Sequence, residues 1–294
     1  LYTSDVPLLD ETLYTAALPT RFDWRDVDGK NYISSVKRQR CGDCWAFAAI
    51  GAMEARLAID GQPGEDLSEQ LLVSDCCSSG SCNGGYIVAT SRFIRDLGSP
   101  GEGCYPYLGR DSDCGQACGN WRNLALKMSS YTRVSQTVSA LKSALYTRGP
   151  INVGMMVYSD FSSYSSGIYE YAYGQREGGH AVLIVGYDDN QECFIVKNSW
   201  GTGWGEGGFF RIAYSQVDNA VGFGAEACVY GDEIDHDDDP DPNPTPDSEL
   251  DNGEVVNDLS GARGQWQYFT MAVPSDADDL RIQIEGASGD ADLY

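Results

Sequence analysis

Histidine is nearly missing from this chain: two occur in 294 residues, His180 and His236. A finger-type zinc site needs Cys and His ligands in closely spaced pairs. Cys41 and Cys44 have no second pair at that spacing, so the ten cysteines point to disulfides and no metal or cofactor is expected. Basic side chains are also few, 20 Lys and Arg against 44 Asp and Glu, a formal net charge of −24. That sign repels phosphate, so no nucleic-acid partner is expected. No apolar run approaches the ~18 residues that would suggest a transmembrane helix, and no membrane partner is expected either. The chain opens at Leu1 without Met or a signal-peptide pattern, as a processed product would.

What is present is unevenly spread. Residues 1–231 carry a net charge of −8 and residues 232–294 a net of −16, so the two parts have different characters. All ten cysteines lie in the first 228 residues, at 41, 44, 76, 77, 82, 104, 114, 118, 193 and 228. Such density in an acidic chain fits an oxidising, extracellular compartment.

The pattern along the chain divides it into four. Residues 1–18 carry no strong periodicity and read as an extension or propeptide remnant. From Pro19 the chain becomes dense in aromatics and turn residues. Asp43 stands where it can cap a helix running from Cys44 toward Asp60, with Gly61 as its stop. A second helix is expected after Ser68, a third over Ile87–Asp96 and a fourth over Val138–Thr147. Short apolar or alternating runs at Val153–Val157, Ala181–Tyr187, Cys193–Lys197 and Gly208–Ala213 predict antiparallel strands. A helical half followed by a β-rich half makes an α+β class with two lobes and a cleft between them, over 19–231. Residues 232–248, with four prolines among a run of acids, read as an extended linker in which His236 is a solvated side chain. In 249–294, Gln267–Val273 and Leu280–Glu285 alternate like sandwich strands, too few for a complete domain.

Attack on an amide by a thiol needs a base close by and a field that favours thiolate. A helix N-terminus supplies that field, and Cys44 stands at a predicted one. His180 is the one histidine before the linker. Gln39-Arg40-Cys41-Gly42-Asp43-Cys44-Trp45, Gly178-Gly179-His180-Ala181-Val182 and Asn198-Ser199-Trp200-Gly201 follow in order. Together they resemble the nucleophile, histidine and asparagine segments of papain-like cysteine peptidases, a likeness covering about residues 19–231.

The resemblance implies a papain-like fold, a helical lobe beside an antiparallel, barrel-like β lobe. It implies an endopeptidase with Cys44 as nucleophile, His180 as base, Asn198 orienting the imidazole under Trp200, and Gln39 donating to the oxyanion. Only Arg40 separates Gln39 from Cys41, one residue fewer than the family pattern. Asp43 replaces the family's small neutral residue; its charge would raise the Cys44 pKa and stabilise the imidazolium. Gly84 and Gly85 would hold the substrate backbone as an added strand. Tyr86, Ile87, Gly154, Gly178 and Gly179 would line the specificity pocket. A residue shortly after Cys228, counted as Glu233, would form its floor or else simply begin the acidic linker. Cys41 is expected to pair with Cys82, and Cys76 or Cys77 with Cys114 or Cys118; Cys193 with Cys228 is a further possibility. No histidine between 44 and 180 could serve an occluding loop, which disfavours a carboxydipeptidase. Asn257–Tyr294 resembles the first half of a bacterial pre-peptidase C-terminal domain, a truncated β-sandwich whose Asp-rich stretches offer calcium ligands. The expected picture is a bacterial, secreted monomer. It acts on polypeptides, and a propeptide or protein inhibitors would occupy its cleft.

Overall fold

A computed structural model describes residues 18–232, 248–250 and 269–271. Chain contacts divide it into two units, Leu1–Ile234 and Asp235–Tyr294. In the second, β11 (Ser248–Leu250) and β12 (Phe269–Met271) pair in parallel. β12 falls inside the predicted Gln267–Val273 strand; Leu280–Glu285, the Asp-rich stretches, His236 and Glu233 lie outside the described residues, as do residues 1–17.

The first unit begins with β1 (Arg21–Asp23), then α1 (Cys44–Ile59), α2 (Glu69–Val73), the two-residue strands β2 (Gly80–Ser81) and β3 (Gly84–Gly85), and α3 (Ile87–Asp96). After α4 (Trp121–Leu124) and β4 (Tyr131–Arg133), α5 (Val138–Arg148) leads into the sheet strands. These are β5 (Ile151–Tyr158), β6 (Ile168–Tyr169), β7 (Arg176–Asp188), β8 (Cys193–Lys197), β9 (Phe209–Ala213) and β10 (Ala225–Tyr230). The sheet runs β4-β10-β5-β7-β8-β9-β6, with β1 on β7. Pairing is antiparallel except that β6 lies parallel to β9, so the sheet is mixed rather than wholly antiparallel as predicted. Two-residue strands such as β6 carry no period to read.

Most of α1 is buried, from Trp45 through Ala58, because small residues let it sit directly on β7. Gly51 faces Leu183 there, where an added Cβ would lie 3.4 Å from the Leu side chain. Asp43 occupies the N-cap of α1 but makes no side-chain capping bond, contrary to expectation; its carboxylate is engaged elsewhere. Ser68 does cap α2, accepting from Leu71 N–H at 3.1 Å. Thr137 caps α5 through Ala140 N–H at 3.2 Å, and Gly149 ends it with φ +111°.

Three disulfides join Cys41 to Cys82, Cys76 to Cys114 and Cys104 to Cys118. Cys77 is therefore a free thiol, and Cys118 takes Cys104. Neighbouring side chains diverge here: Cys77 enters the main core, while Cys76 packs on the smaller cluster of Leu71, Tyr105 and Trp121. Cys193 and Cys228 are also free and buried, on β8 and β10. Three strand spacings of ~4.8 Å separate those strands, beyond the reach of a disulfide.

Candidate active site

The cleft lies where the N-terminus of α1 meets β5 and β7. It is open, with a volume of about 780 Å³, and among its lining residues are Gln39, Cys44, Gly84, Gly85, Tyr86, Ile87, Gly154, Gly178, Gly179, His180 and Trp200. Every predicted site residue except Asn198, Glu233 and the disulfide cysteines lines it. Asn198 lies behind His180 and is buried. Glu233 is outside the described residues, and the carboxylates that line the cleft are Glu177 and Glu226. Glu226 lies two residues before Cys228. The register of β10 shifts between Ala225 and Cys228, and Glu226 takes φ +51° there, a conformation rare for a non-glycine residue. Neither feature shows in a count along the sequence.

Cys44 begins α1, and its Sγ accepts from the N–H of Ala181 at 3.3 Å. That contact sets the thiol beside His180, the preceding residue on β7. The Nε2 of His180 lies 2.8 Å from Oδ1 of Asn198, and Ser199 N–H meets the same oxygen at 2.8 Å. Two groups converge on that atom and one is a donor only, so it is the amide oxygen. Nε2 then carries the proton, which leaves Nδ1 free to take one from a thiol. Trp200 covers the imidazole, with ring centroids 4.9 Å apart.

Burial pushes the Cys44 thiol up, opposed by the Ala181 and Trp45 N–H groups, with Asp43 adding a smaller upward push. Burial also pushes His180 down to about 4, opposed by the Asn198 bond. Burial thus disfavours the charged form of each of these two neighbouring groups taken alone. The expected effect of Asp43 on the thiol is present; the influences on His180 are burial and Asn198.

Gln39 is tied to the opposite wall. Its N–H donates to Ser199 O at 2.8 Å, and its Oε1 accepts from Ser199 Oγ at 2.6 Å. Its Nε2 donates one proton to Cys41 O at 2.7 Å. That bond uses one of the two amide protons, and Gln39 lines the cleft. Gly85 is where a Cβ would run into the indole of Trp45, whose Nε1 donates to Ser81 O at 3.1 Å. Only glycine permits that approach.

Behind the cleft, Glu54, Glu69 and Lys197 are buried, with Lys37 partly buried and Asp66 exposed beside them. Lys37 Nζ lies 3.0 Å from Glu54, 2.8 Å from Glu69 and 2.7 Å from Asp66. Ser34 donates to Glu54 at 2.5 Å and accepts from Lys197 Nζ at 3.0 Å. Burial pushes Glu69 up to about 8 against the pull of Lys37, and pushes Lys197 down to about 8. Sequence reading missed this cluster, since charged residues on helices usually face water. Cys41, Asp43 and Cys82 also lie together, but the two sulfurs are bonded to each other, which leaves one carboxylate as a metal donor.

A thiol at a helix N-terminus, beside an imidazole held by an amide oxygen, defines a cysteine peptidase site. The profile of the papain family cysteine proteases matches residues 18–230. The chain belongs to that family and is a cysteine-type peptidase. It is 35% identical over 208 residues to a cathepsin B-like protein, CP2, of Giardia intestinalis, covering 66% of this chain and 69% of that one. It is 34% identical over 242 residues to cathepsin Z of Onchocerca volvulus, covering 74% and 78%. Among solved structures, procathepsin L2 from the larval midgut of Tenebrio molitor superposes with a TM-score of 0.68. Identity there is 31%, and 77% of this chain and 74% of that one are covered. Bromelain from Ananas comosus in complex with the E64 inhibitor gives a TM-score of 0.62 at 32% identity, covering 73% and 99%.

Proposed function

We propose that this chain is a secreted bacterial endopeptidase that cleaves polypeptides through an acyl-enzyme on Cys44. One observation carries the reading: the Asn198–His180 bond at 2.8 Å, with Cys44 Sγ 3.3 Å from the N–H of the residue after His180. In this scheme His180 Nδ1 takes the thiol proton as Sγ attacks the scissile carbonyl. The oxyanion that forms meets Cys44 N–H and the free proton of Gln39 Nε2. Collapse of the tetrahedral species breaks the C–N bond, and His180 returns the proton to the leaving amine. Water, activated by the same Nδ1, then hydrolyses the thioester.

Gly84 and Gly85 offer backbone for an extended substrate, and Tyr86, Ile87, Gly154, Gly178 and Gly179 surround a side chain inserted beside it. Glu226 lines the cleft and offers such a side chain a carboxylate, which favours Arg or Lys. Three disulfides support an extracellular site of action. The likeness of the tail to a pre-peptidase C-terminal domain supports the bacterial source and a boundary at 248/249, and the family match over residues 18–230 supports those at 18/19 and 231/232. The enzyme acts as a monomer, its cleft filled by a propeptide before activation, as the procathepsin likeness suggests.

The test is labelling with an epoxysuccinyl thiol inhibitor, followed by peptide mapping. One equivalent on Cys44, lost in Cys44→Ala together with peptidase activity, is the expected result. Label on Cys77, Cys193 or Cys228, or none, overturns the reading.

A further inference from the structure

Asp43 is buried completely, directly before the nucleophile, and does not cap the helix it precedes. Its Oδ2 accepts from the hydroxyl of Tyr107 at 2.6 Å. The same hydroxyl accepts from the N–H of Arg40 at 2.9 Å. One phenol therefore grips both ends of the short segment from Arg40 to Asp43, and that segment carries Gln39 at one side and Cys44 at the other. Asp43 Oδ1 is buried without a full hydrogen bond, although the N–H groups of Cys41 and Asp43 lie near enough to favour its anionic form.

Tyr107 is itself anchored. Its N–H donates to Glu102 at 2.7 Å, its ring meets Phe47 of α1 edge-on with centroids 5.1 Å apart, and Leu108 N–H donates to Gln70 of α2 at 2.7 Å. Gly109 abuts Arg40, where an added Cβ would come within 2.8 Å of the Arg side chain. The grip thus reaches back to both helices beside the cleft.

We propose that Asp43 and Tyr107 form a positioning pair that holds the Gln39–Cys44 segment in its reactive geometry. In the same arrangement, the Asp43 charge restrains the Cys44 thiol from ionising. This rests on the reading of Cys44 as nucleophile. The segment has one residue less between Gln39 and Cys41 than related sequences would lead one to expect, so it has little slack. The Tyr107 bridge supplies a rigid spacer in its place. The charge argument follows from proximity: a carboxylate adjacent in sequence and shielded from water repels a thiolate, a smaller effect than burial itself.

The groups facing Asp43 are few. Tyr107 comes from the segment after Glu102, Cys44 from α1, and Asp111, an acid that disfavours the Asp43 charge, from beyond Gly109. Glu69 acts on the Tyr107 hydroxyl, and Glu102 accepts from the Tyr107 N–H. Cys41 and Cys82 are joined and do not titrate. Cys44 is faced from β7 by His180 and the Ala181 N–H. Among the main influences on the Asp43 charge none is a cationic side chain; the imidazole of His180 faces the thiol, and the Tyr107 hydroxyl is the group that bonds the Asp43 carboxylate.

The experiment compares wild type with Asp43→Asn, Tyr107→Phe and the double variant. It reads kcat and KM for a dipeptide amide, and the pH dependence of kcat/KM and of Cys44 alkylation. Rates are normalised to thiol titrated by the epoxysuccinyl reagent, so misfolded protein does not count. Asp43→Asn keeps a partner for Tyr107 and removes the charge. Its acid limb should move down by roughly half a unit to one unit, raising kcat/KM several-fold below the wild-type limb. Tyr107→Phe keeps the ring on Phe47 but frees the segment; kcat should fall about three- to ten-fold with KM unchanged. Its limb should also move down, because Asp43 without the phenol holds its proton to higher pH. The double variant should lose no more kcat than Tyr107→Phe alone, as expected for partners in one interaction. Should Asp43→Asn yield no titratable thiol, Asp43→Ser serves for the charge comparison. Profiles that overlay the wild type, or losses that multiply in the double variant, overturn the pair. A wild type that is itself inactive and unlabelled at Cys44 overturns the peptidase reading instead.

Discussion

The hydroxyl of Ser199 donates to Oε1 of Gln39 across 2.6 Å, linking the residue after Asn198 to the residue on the far side of the nucleophile. Ser199 takes the oxygen and Cys41 O takes one amide proton, so the Gln39 amide is held one way round. Gln39→Ala should lower kcat about 10²-fold, the usual cost of one oxyanion donor. Ser199→Ala should lower it roughly ten-fold by letting the amide turn. A Ser199→Ala enzyme with full kcat, measured on a chromogenic dipeptide, would show that Gln39 is aimed by its backbone alone.

Asn198→Ala should reduce kcat roughly 10- to 100-fold and leave epoxysuccinyl labelling of Cys44 slow but present. The amide oxygen fixes the proton on Nε2; without it the imidazole samples the wrong tautomer and rotamer. An unchanged kcat would mean that Trp200 alone orients the ring.

Selectivity should reside in Glu226. Glu226→Ala should reduce the preference for Arg-Arg over Phe-Arg substrates by about five- to twenty-fold, mostly through the Arg-Arg substrate. Glu177→Ala is the comparison, since both acids line the cleft. Should Glu177→Ala shift the ratio and Glu226→Ala leave it alone, the assignment moves to Glu177.

Glu69 should make stability depend on pH. Its folded pKa of about 8 stands above the ordinary value of 4.5, so the folded state holds this proton more tightly than the unfolded chain. That contribution is complete below pH 4.5 and is lost as pH rises to 8, with a slope of at most ~1.4 kcal/mol per unit. Thermal unfolding in a Cys44→Ala background, which avoids autolysis, should show Tm falling across that window. Glu69→Gln should flatten it, and an equally steep curve in the variant would place the titration elsewhere.

The helix starting at Cys44, those after Ser68 and over Ile87–Asp96, and the longer sheet strands were all readable, because caps, glycine stops and apolar runs of the right length mark them. Arg21–Asp23, Tyr131–Arg133 and Ala225–Tyr230 were not, since two are three residues long and the third contains a bulge. Site features divide in a similar way. The Gln39, Cys44, His180 and Asn198 segments could be quoted from the linear text. The Asp43–Tyr107 bridge joins residues 64 apart in sequence and depends on how two loops face each other. The Lys37, Glu54 and Glu69 cluster was hidden for another reason: burial of mutually compensating charges leaves no mark in composition.

Ala181, whose N–H meets the thiol, lies 137 residues after Cys44. A growing chain therefore displays its nucleophile long before the base and its amide partner exist. Until β7 settles on α1, the thiol is an ordinary cysteine with no means of cutting its neighbours. Folding itself assembles the site, and a chain that unfolds loses it at the same instant.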